Sequence, residues 1–234
     1  MNIVKYLQAQ GLGSRKQCQQ WVKNGYISID GQIIEDTKAE VSLEGRRVLA
    51  LDEQNIETVN LPHFYILLHK APDTETSHKP QQYPSVFASL PSHFRNIDIQ
   101  AVGRLDADTT GAIILTNDGQ FNHKVTSPKH HVAKIYRVTL KHAADQSLCE
   151  RLLKGVLLDD EHETIAAADA QLVDETTLLM TLTQGKYHQV KRMIAAAGNR
   201  VAALHRDQFH QWRVDDLPVG QWRFLDVAEV QNSI

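Results

Sequence analysis

The chain has 234 residues, 42% of them hydrophobic, and a formal net charge of −3 at pH 7. A chain of this length, folded as one large domain or two smaller ones, buries enough surface to be stable without disulfides or a structural metal. Its two cysteines are widely separated, its N-terminus is unlike a signal peptide and it has no long apolar run, so we expect a soluble cytoplasmic protein outside any membrane.

The small net charge conceals a segregation of charge along the chain. Residues 1–29 contain four Lys or Arg and no acid, and residues 119–144 and 176–206 each contain five Lys or Arg and no acid. Residues 145–175 contain nine acids and two basic residues. If the basic blocks converge, they form a phosphate-binding surface, and we expect the acidic block to lie away from it. The alternative is that each block is a solvated face.

The first 58 residues predict two short helices followed by a β-hairpin. A glycine break begins at Gly11, Ser14 is a strong N-cap, and Asp30-Gly31 is a strong hairpin turn. This order resembles the small RNA-binding module named after ribosomal protein S4, in which the second helix and the turn before it face RNA. The resemblance implies phosphate contacts from three basic residues: Arg15, Lys16 and Lys23.

A domain boundary is predicted near residue 60, between units spanning 1–58 and 62–234. Residues 52–60 are acidic and polar, which favours a linker. The second unit is predicted to contain strands at residues 64–68, 134–140, 177–183, 201–204, 212–214 and 222–225, and helices at 85–90, 120–125, 146–154 and from about 187 to a stop at Gly198.

Residues 103–111 (GRLDADTTG) are a polar loop directly before a buried apolar strand. An aspartate held at such an edge is either a turn residue or a reagent. The loop closely resembles the one that carries the nucleophilic aspartate of pseudouridine synthases, in the branch that acts on the small ribosomal subunit. The resemblance implies that Asp106 is the nucleophile and that Arg104 contacts phosphate and fills the gap left by an extruded base. We expect Asp108 to cap the loop with Thr109 and Thr110.

Three cations, Lys186, Lys191 and Arg192, surround the start of a predicted helix, whose N-terminal end is already electropositive. Such a conflict marks a site that receives anions, although surface cations without a function would give the same pattern. Residues 185–193 (GKYHQVKRM) resemble the third motif of the same branch. The resemblance implies that Lys191 pairs with the nucleophile and keeps it charged, and that Lys186 and Arg192 bind RNA.

Tyr136 lies in an alternating strand, where an aromatic residue is ordinarily part of the core. Lys134-Ile135-Tyr136, however, resembles the second motif of the family, whose tyrosine lies over the target base and is a candidate for proton transfer from carbon 5. Residues 127–131 match the small-subunit branch. The resemblance further implies RNA contacts from Lys129 and Lys134 and apolar packing of Leu182 against the base.

The resemblance as a whole implies an α+β fold. The expected architecture is a small N-terminal S4-like RNA-binding module plus a pseudouridine synthase catalytic domain, built on a mixed, mainly antiparallel sheet with flanking helices. The expected reaction converts one uridine of 16S ribosomal RNA into pseudouridine, with no cofactor and no metal. Whether the aspartate attacks the ribose or the base is open. The expected partner is ribosomal RNA within a small-subunit assembly particle, and the expected state is a monomer.

Three alternatives stay open on sequence alone. The segment Asp106-Ala107-Asp108-Thr109 also fits the D-x-D-x-T signature of magnesium-dependent haloacid-dehalogenase-type phosphatases, although here the apolar strand follows the motif. The second unit could instead be a non-catalytic ribosome assembly factor. The same chemistry could also act on large-subunit (23S) ribosomal RNA.

Overall fold

The computed structural model describes residues 1–43, 47–159 and 161–233. Within these residues the helices are α1 (Ile3–Ala9), α2 (Arg15–Lys23), α3 (Gly119–Thr126), α4 (Gln146–Lys154), α5 (Gln189–Ala196) and α6 (Val227–Asn232). The strands are β1 (Ile27–Ile29), β2 (Gln32–Ile33), β3 (Leu49–Leu51), β4 (Gln54–Ile56), β5 (Tyr65–Lys70), β6 (Gln100–Ala101), β7 (Thr110–Thr116), β8 (Lys134–Leu140), β9 (Asp169–Asp174), β10 (Thr177–Leu182), β11 (Val201–Phe209), β12 (Trp212–Arg213) and β13 (Trp222–Phe224).

The N-terminal part folds as two helices against a four-stranded antiparallel sheet of order β2-β1-β3-β4. Ser14 caps α2 in a reciprocal capping box with Gln17, as the N-cap signal predicted. The prediction that residues 52–60 are a linker is wrong at β4, which pairs with β3. Asp52 and Glu53 turn the chain between these strands with positive φ, so a polar hairpin resembles a linker in sequence.

The larger part is built on a mixed sheet of order β13-β5-β7-β11-β8-β10-β9, with β6 beside β7 and β12 beside β11. Among the described residues its ladders are antiparallel apart from the β7/β11 pair, which is parallel. The expected α+β class with a mixed, mainly antiparallel sheet is therefore confirmed.

Both faces of this sheet are covered. Along β5, Tyr65 and Leu67 enter one apolar cluster while Ile66 and Leu68 enter another, and all six residues of the strand are buried. Burial on both faces explains why this strand is a continuous apolar run and does not alternate. Helices α4 and α5 contribute to the cluster of Ile66, and α3 and α6 contribute to the cluster of Tyr65.

The two parts are in contact through the end of α1. The side-chain amide of Gln10 is fully buried and bonds both the N–H and the carbonyl of Val59. Asn96 donates to the Gly11 carbonyl at 2.7 Å, and His93 contacts the Glu57 carbonyl at 2.8 Å. None of the helices in the described part of the chain has the length and apolarity that a membrane span requires.

Candidate active site

A buried lysine supports the loop between β6 and β7 through hydrogen bonds to backbone carbonyls. Lys70, the last residue of β5, is fully buried, and its Nζ donates to the carbonyls of Ala71, Ala107 and Thr109 at 2.9–3.0 Å. Burial lowers the pKa of Lys70 to about 8, although the negative charges of Asp108, Asp106 and Asp73 act in the opposite direction. Two of its three acceptors flank Asp106 and Asp108, so Lys70 fixes the backbone that presents these carboxylates.

The carboxylate of Asp106 lies between two basic side chains of the segment that opens α5. Lys191 Nζ is 3.0 Å from Asp106 Oδ2, and His188 Nε2 is 3.3 Å from Asp106 Oδ1. Lys191 also donates to both oxygens of Asp108, at 2.7 and 2.9 Å. Burial alone would lower the pKa of Lys191, but its hydrogen bonds with Asp108 and Asp106 raise it above the usual value. Lys191 is therefore a cation shared by two carboxylates.

This cluster opens into a cleft of about 650 Å³. The cleft is lined by Asp106, Tyr136, Leu182 and Lys191, so the structure brings these four predicted residues together. Tyr136 is buried on β8 and Leu182 on the adjacent β10, which gives the cleft an apolar wall. The size falls within the range of roughly 300–1,000 Å³ that small-molecule sites occupy.

Comparisons with known proteins show what the chain is similar to. Residues 64–196 match the model of the family described as RNA pseudouridylate synthase, and residues 1–48 match the S4 domain. The chain belongs to the RNA pseudouridylate synthase family. It is 37% identical to ribosomal small subunit pseudouridine synthase A of Vibrio parahaemolyticus, with 99% of both chains covered, and 34% identical to the protein of that name from Escherichia coli, with 100% of both covered. A crystal structure titled pseudouridylate synthase matches with a TM-score of 0.69 and 30% identity, covering 100% of both chains.

Membership of the RNA pseudouridylate synthase family does not support the phosphatase alternative, and neither does the sheet. The D-x-D-x-T segment lies in the loop before β7, and the strand before it, β6, has two residues and is antiparallel to β7. Among the described residues no group of three or more His, Cys, Asp or Glu side chains is placed to hold a metal ion.

The predicted RNA-binding cations differ in their environments. Arg15, Lys16 and Lys23 are exposed on α2, Lys129 is exposed in the 3-10 turn Pro128–His130, and Arg104 is exposed at the cleft. Arg192 donates to the Tyr187 carbonyl at 3.1 Å. Lys134 is buried instead: its Nζ donates to the Val132 carbonyl at 2.7 Å, and its side chain lines the cleft. The predicted RNA contact of Lys134 would therefore be made inside the cleft.

One expectation about the cleft is wrong, and a second is incomplete. The Asp108 carboxylate, expected to cap the loop, bonds its own backbone N–H and also accepts from Lys191, and the chain reversal from Asp106 to Thr109 is closed by a backbone hydrogen bond. The acidic block does not lie wholly away from the cleft. Glu161 forms an ion pair with Lys186, a cleft-lining residue, at 2.6 Å, so part of the predicted basic surface is neutralised within the chain.

Two cleft residues, His188 and Arg206, and the buried Lys70 that supports the loop carrying Asp106 were missed from the sequence. His188 has left-handed backbone, with φ 47°, and its ring stacks on Tyr187, which is 75% exposed. Lys70 and Arg206 are buried cations that contact loop and strand carbonyls. The signal for Lys70 is a charged residue at the end of an apolar run, whereas Arg206 lies between His205 and Asp207 in a polar stretch and gives no such signal. His188 lies inside the third motif, but its left-handed backbone conformation can be recognised only in the folded structure.

Proposed function

We propose that this protein converts a uridine of small-subunit (16S) ribosomal RNA into pseudouridine. The observation that carries the proposal is the Asp106 carboxylate, held 3.0 Å from Lys191 in a cleft walled by Tyr136. The small-subunit assignment is supported by full-length similarity to proteins that carry that function in their names.

The geometry supports a division of labour among the three residues. Asp106 acts as the nucleophile, and Lys191 keeps it negatively charged, because an opposite charge within hydrogen-bond distance favours the ionised carboxylate. Tyr136 contacts the target base and takes part in moving the proton from carbon 5. The isomerisation involves no net change of redox state, so we propose that it uses neither a cofactor nor a metal.

A uridine must leave its helical stack to reach the cleft, which costs a few kcal/mol. Arg104 is exposed at the cleft and suited to phosphate contact and to filling the gap. Leu182 packs against the base, and the S4-like module adds contacts from α2. We assign the module to residues 1–58 and the catalytic domain to 62–234. We propose that the protein acts as a cytoplasmic monomer on a partly assembled small-subunit particle.

The test is a map of pseudouridine in ribosomal RNA by carbodiimide modification and primer extension. Cells lacking the gene are complemented with the wild type, with Asp106→Asn or with Asp98→Asn, which alters an exposed carboxylate outside the cleft. We expect one primer-extension stop in 16S RNA that requires the wild type or Asp98→Asn and is absent with Asp106→Asn.

The other outcomes identify the alternatives. A stop that depends on Asp106 but lies in 23S RNA would assign the same chemistry to the large subunit. If no stop depends on the gene, and the purified protein forms no pseudouridine on 16S RNA or on small-subunit particles, the second domain is a non-catalytic assembly factor.

A further inference from the structure

Two buried cations lie in the apolar wall of the cleft without a carboxylate partner among the described residues. Lys134 is 7% exposed and Arg206 is 2% exposed, and both line the cleft. They lie on paired strands and share one aromatic neighbour: Lys134 Nζ is 5.5 Å and the Arg206 guanidinium carbon 5.2 Å from the ring centroid of Phe209.

Among the described residues, these two cations have fewer hydrogen-bond acceptors than they have donor groups. Lys134 Nζ donates to the Val132 carbonyl, and Arg206 Nε donates to the Ala112 carbonyl at 2.6 Å. Arg206 Nη2 is buried and has no hydrogen-bond partner among the described residues. Burial, with a smaller effect from the charge of Arg206, lowers the pKa of Lys134 to about 8, so Lys134 is still protonated at pH 7. Buried charges are ordinarily paired, so this arrangement indicates a negative partner supplied by the substrate.

We propose that Lys134 and Arg206 bind the uracil ring of the extruded nucleotide and stabilise the negative charge that it carries after the bond to the ribose breaks. The inference rests on the proposed function. It gives these residues a part in the reaction that is different from phosphate binding, and it adds Arg206 to the catalytic residues.

The charge follows from the bonds that change. The bond from ribose carbon 1′ to nitrogen 1 breaks with its electron pair staying on the ring, where it is shared with the oxygens on carbons 2 and 4. The Asp106 carboxylate, as the nucleophile, bonds to carbon 1′ as this bond breaks. After the ring turns, carbon 5 supplies an electron pair to carbon 1′, the bond from Asp106 to carbon 1′ breaks with its electron pair returning to the carboxylate, carbon 5 loses its proton and nitrogen 1 gains one. The negative ring therefore exists only between cleavage and rejoining, where cationic donors stabilise it most.

The location favours the base over a phosphate as the partner. The cations adjoin Tyr136, which is within 6.0 Å of the Arg206 guanidinium, and they lie on the same wall as Leu182 and Leu204. A flat ring with two carbonyl oxygens fits apolar walls with donors between them. The phosphates of an extruded nucleotide remain in the strand, which has to pass the solvent-exposed side of the cleft, where Arg104 lies.

The first experiment separates chemistry from binding. Lys134→Met, Arg206→Gln and the charge-retaining Arg206→Lys are compared with Arg223→Gln, an exposed cation on β13 outside the cleft. We expect Lys134→Met and Arg206→Gln to lower the single-turnover rate of pseudouridine formation at saturating enzyme by at least about 100-fold, with the RNA Kd within about threefold of wild type. Arg206→Lys is expected to recover part of the rate, and Arg223→Gln to leave it unchanged.

The second experiment measures calorimetric binding of small probes to the full-length protein. The probes are 5-nitrouracil, whose ring is anionic near neutral pH, uracil, which is neutral there, and ribose 5-phosphate. We expect 5-nitrouracil to bind the wild type more tightly than uracil does, and Lys134→Met or Arg206→Gln to weaken its binding at least tenfold. Since Lys134→Met replaces a buried charge by an apolar side chain of similar length, it covers the case in which Arg206→Gln does not fold.

Several results would overturn the inference. One is wild-type single-turnover rates in folded Lys134→Met, and another is binding of 5-nitrouracil that is undetectable in the wild type or equal in the variants. Variant effects confined to ribose 5-phosphate and to the RNA Kd would assign the two cations to phosphate. In each case the wild type still forms pseudouridine; if it does not, the proposed function itself fails.

Discussion

Lys70 shows how one side chain connects the fold to the loop that carries Asp106. It ends a largely apolar strand, it is fully buried, and its ammonium group bonds three backbone carbonyls and, among the described residues, pairs with no carboxylate. Three donors matched to three carbonyls make this a site for a protonated amine. Because burial disfavours the charged form of Lys70, its pKa differs between the folded and unfolded chains, and the free energy of unfolding therefore depends on pH.

Lys70→Met is expected to reduce the rise of the free energy of unfolding with pH. The folded-state pKa of Lys70 is about 8, against 10.5 for an ordinary lysine, so between these values the folded chain has released a proton that the unfolded chain retains. Stability therefore rises with pH across this window, by roughly 3 kcal/mol for the full shift. Urea unfolding at pH 7, 8, 9 and 10 should show the wild type gaining stability relative to Lys70→Met as the pH rises.

The comparison isolates Lys70, because Lys134 is present in both proteins and its contribution cancels. Lys79→Met, in the exposed part of the following loop, serves as the surface control and should give a curve parallel to that of the wild type. Parallel curves for the wild type and Lys70→Met would show that the buried lysine has no such linkage. Single-turnover rates on the same samples should fall for Lys70→Met, since the loop around Asp106 loses its support.

At the scale of elements, the parallel pair β7/β11 places the loop that carries Asp106 beside Arg206. Gly111 pairs with Arg206 and has a φ of +109°, and a Cβ at this position would lie 2.2 Å from the Arg206 carbonyl oxygen. Two strands can approach this closely only where one of them has no side chain.

Gly111→Ala is therefore expected to destabilise the protein by about 2–4 kcal/mol, from backbone strain and from separation of the two strands. Gly119→Ala is the matched control: Gly119 is in the first turn of α3, and no atom lies within 4 Å of a Cβ there, so its effect should be near zero or slightly stabilising. Thermal unfolding followed by circular dichroism measures both. Equal midpoints for the two variants would contradict the close-approach argument.

The sequence predicted those elements whose periodicity or capping is local. The strand at β5, the N-cap at Ser14 and the helix at α5 are all present, although α5 begins at Gln189 instead of near residue 187. The strand predicted at 201–204 extends to Phe209 in the structure. Its second half was not predicted because it is polar on both faces: Arg206 borders the cleft, and Asp207, also buried, pairs with Arg137. Helix α6 was missed, since six residues carry too little periodicity to be recognised.

The same limit applies to the site: the sequence indicated residues that lie in short motifs and missed residues whose roles depend on distant contacts. Asp106, Lys191 and Tyr136 were found because motif residues lie within short segments, and the cleft contains all three. The roles of Lys70 and Arg206 come from contacts 37 to 94 residues apart in sequence, which no local pattern encodes. Lys134 was named, but its burial depends on the strands packed around it, so its environment could not be foreseen.

At the scale of the whole molecule, the RNA-binding module and the catalytic part are joined by a few specific polar contacts. Gln10 contributes both groups of its amide to the backbone of Val59, at 2.7 and 3.0 Å, in a fully buried position. Gly11, which follows it, has a φ of +75° and lies against the His93 carbonyl. These contacts fix the direction in which α2 and its cations face relative to the cleft.

Gln10→Ala is expected to weaken this junction without altering the cleft. The buried N–H and carbonyl of Val59 would lose their partners, at a cost of about 1–3 kcal/mol for each group that water cannot reach. We expect faster limited proteolysis at residues 57–63 and a several-fold higher Kd for 16S RNA, with the single-turnover rate at saturating enzyme within about threefold of wild type.

Gln8→Ala, which alters an exposed glutamine on the same helix, should match the wild type in all three measurements. An unchanged Kd alongside faster proteolysis would show that RNA binding does not depend on how the module is docked, whereas a large loss of rate would place the junction in the catalytic step itself.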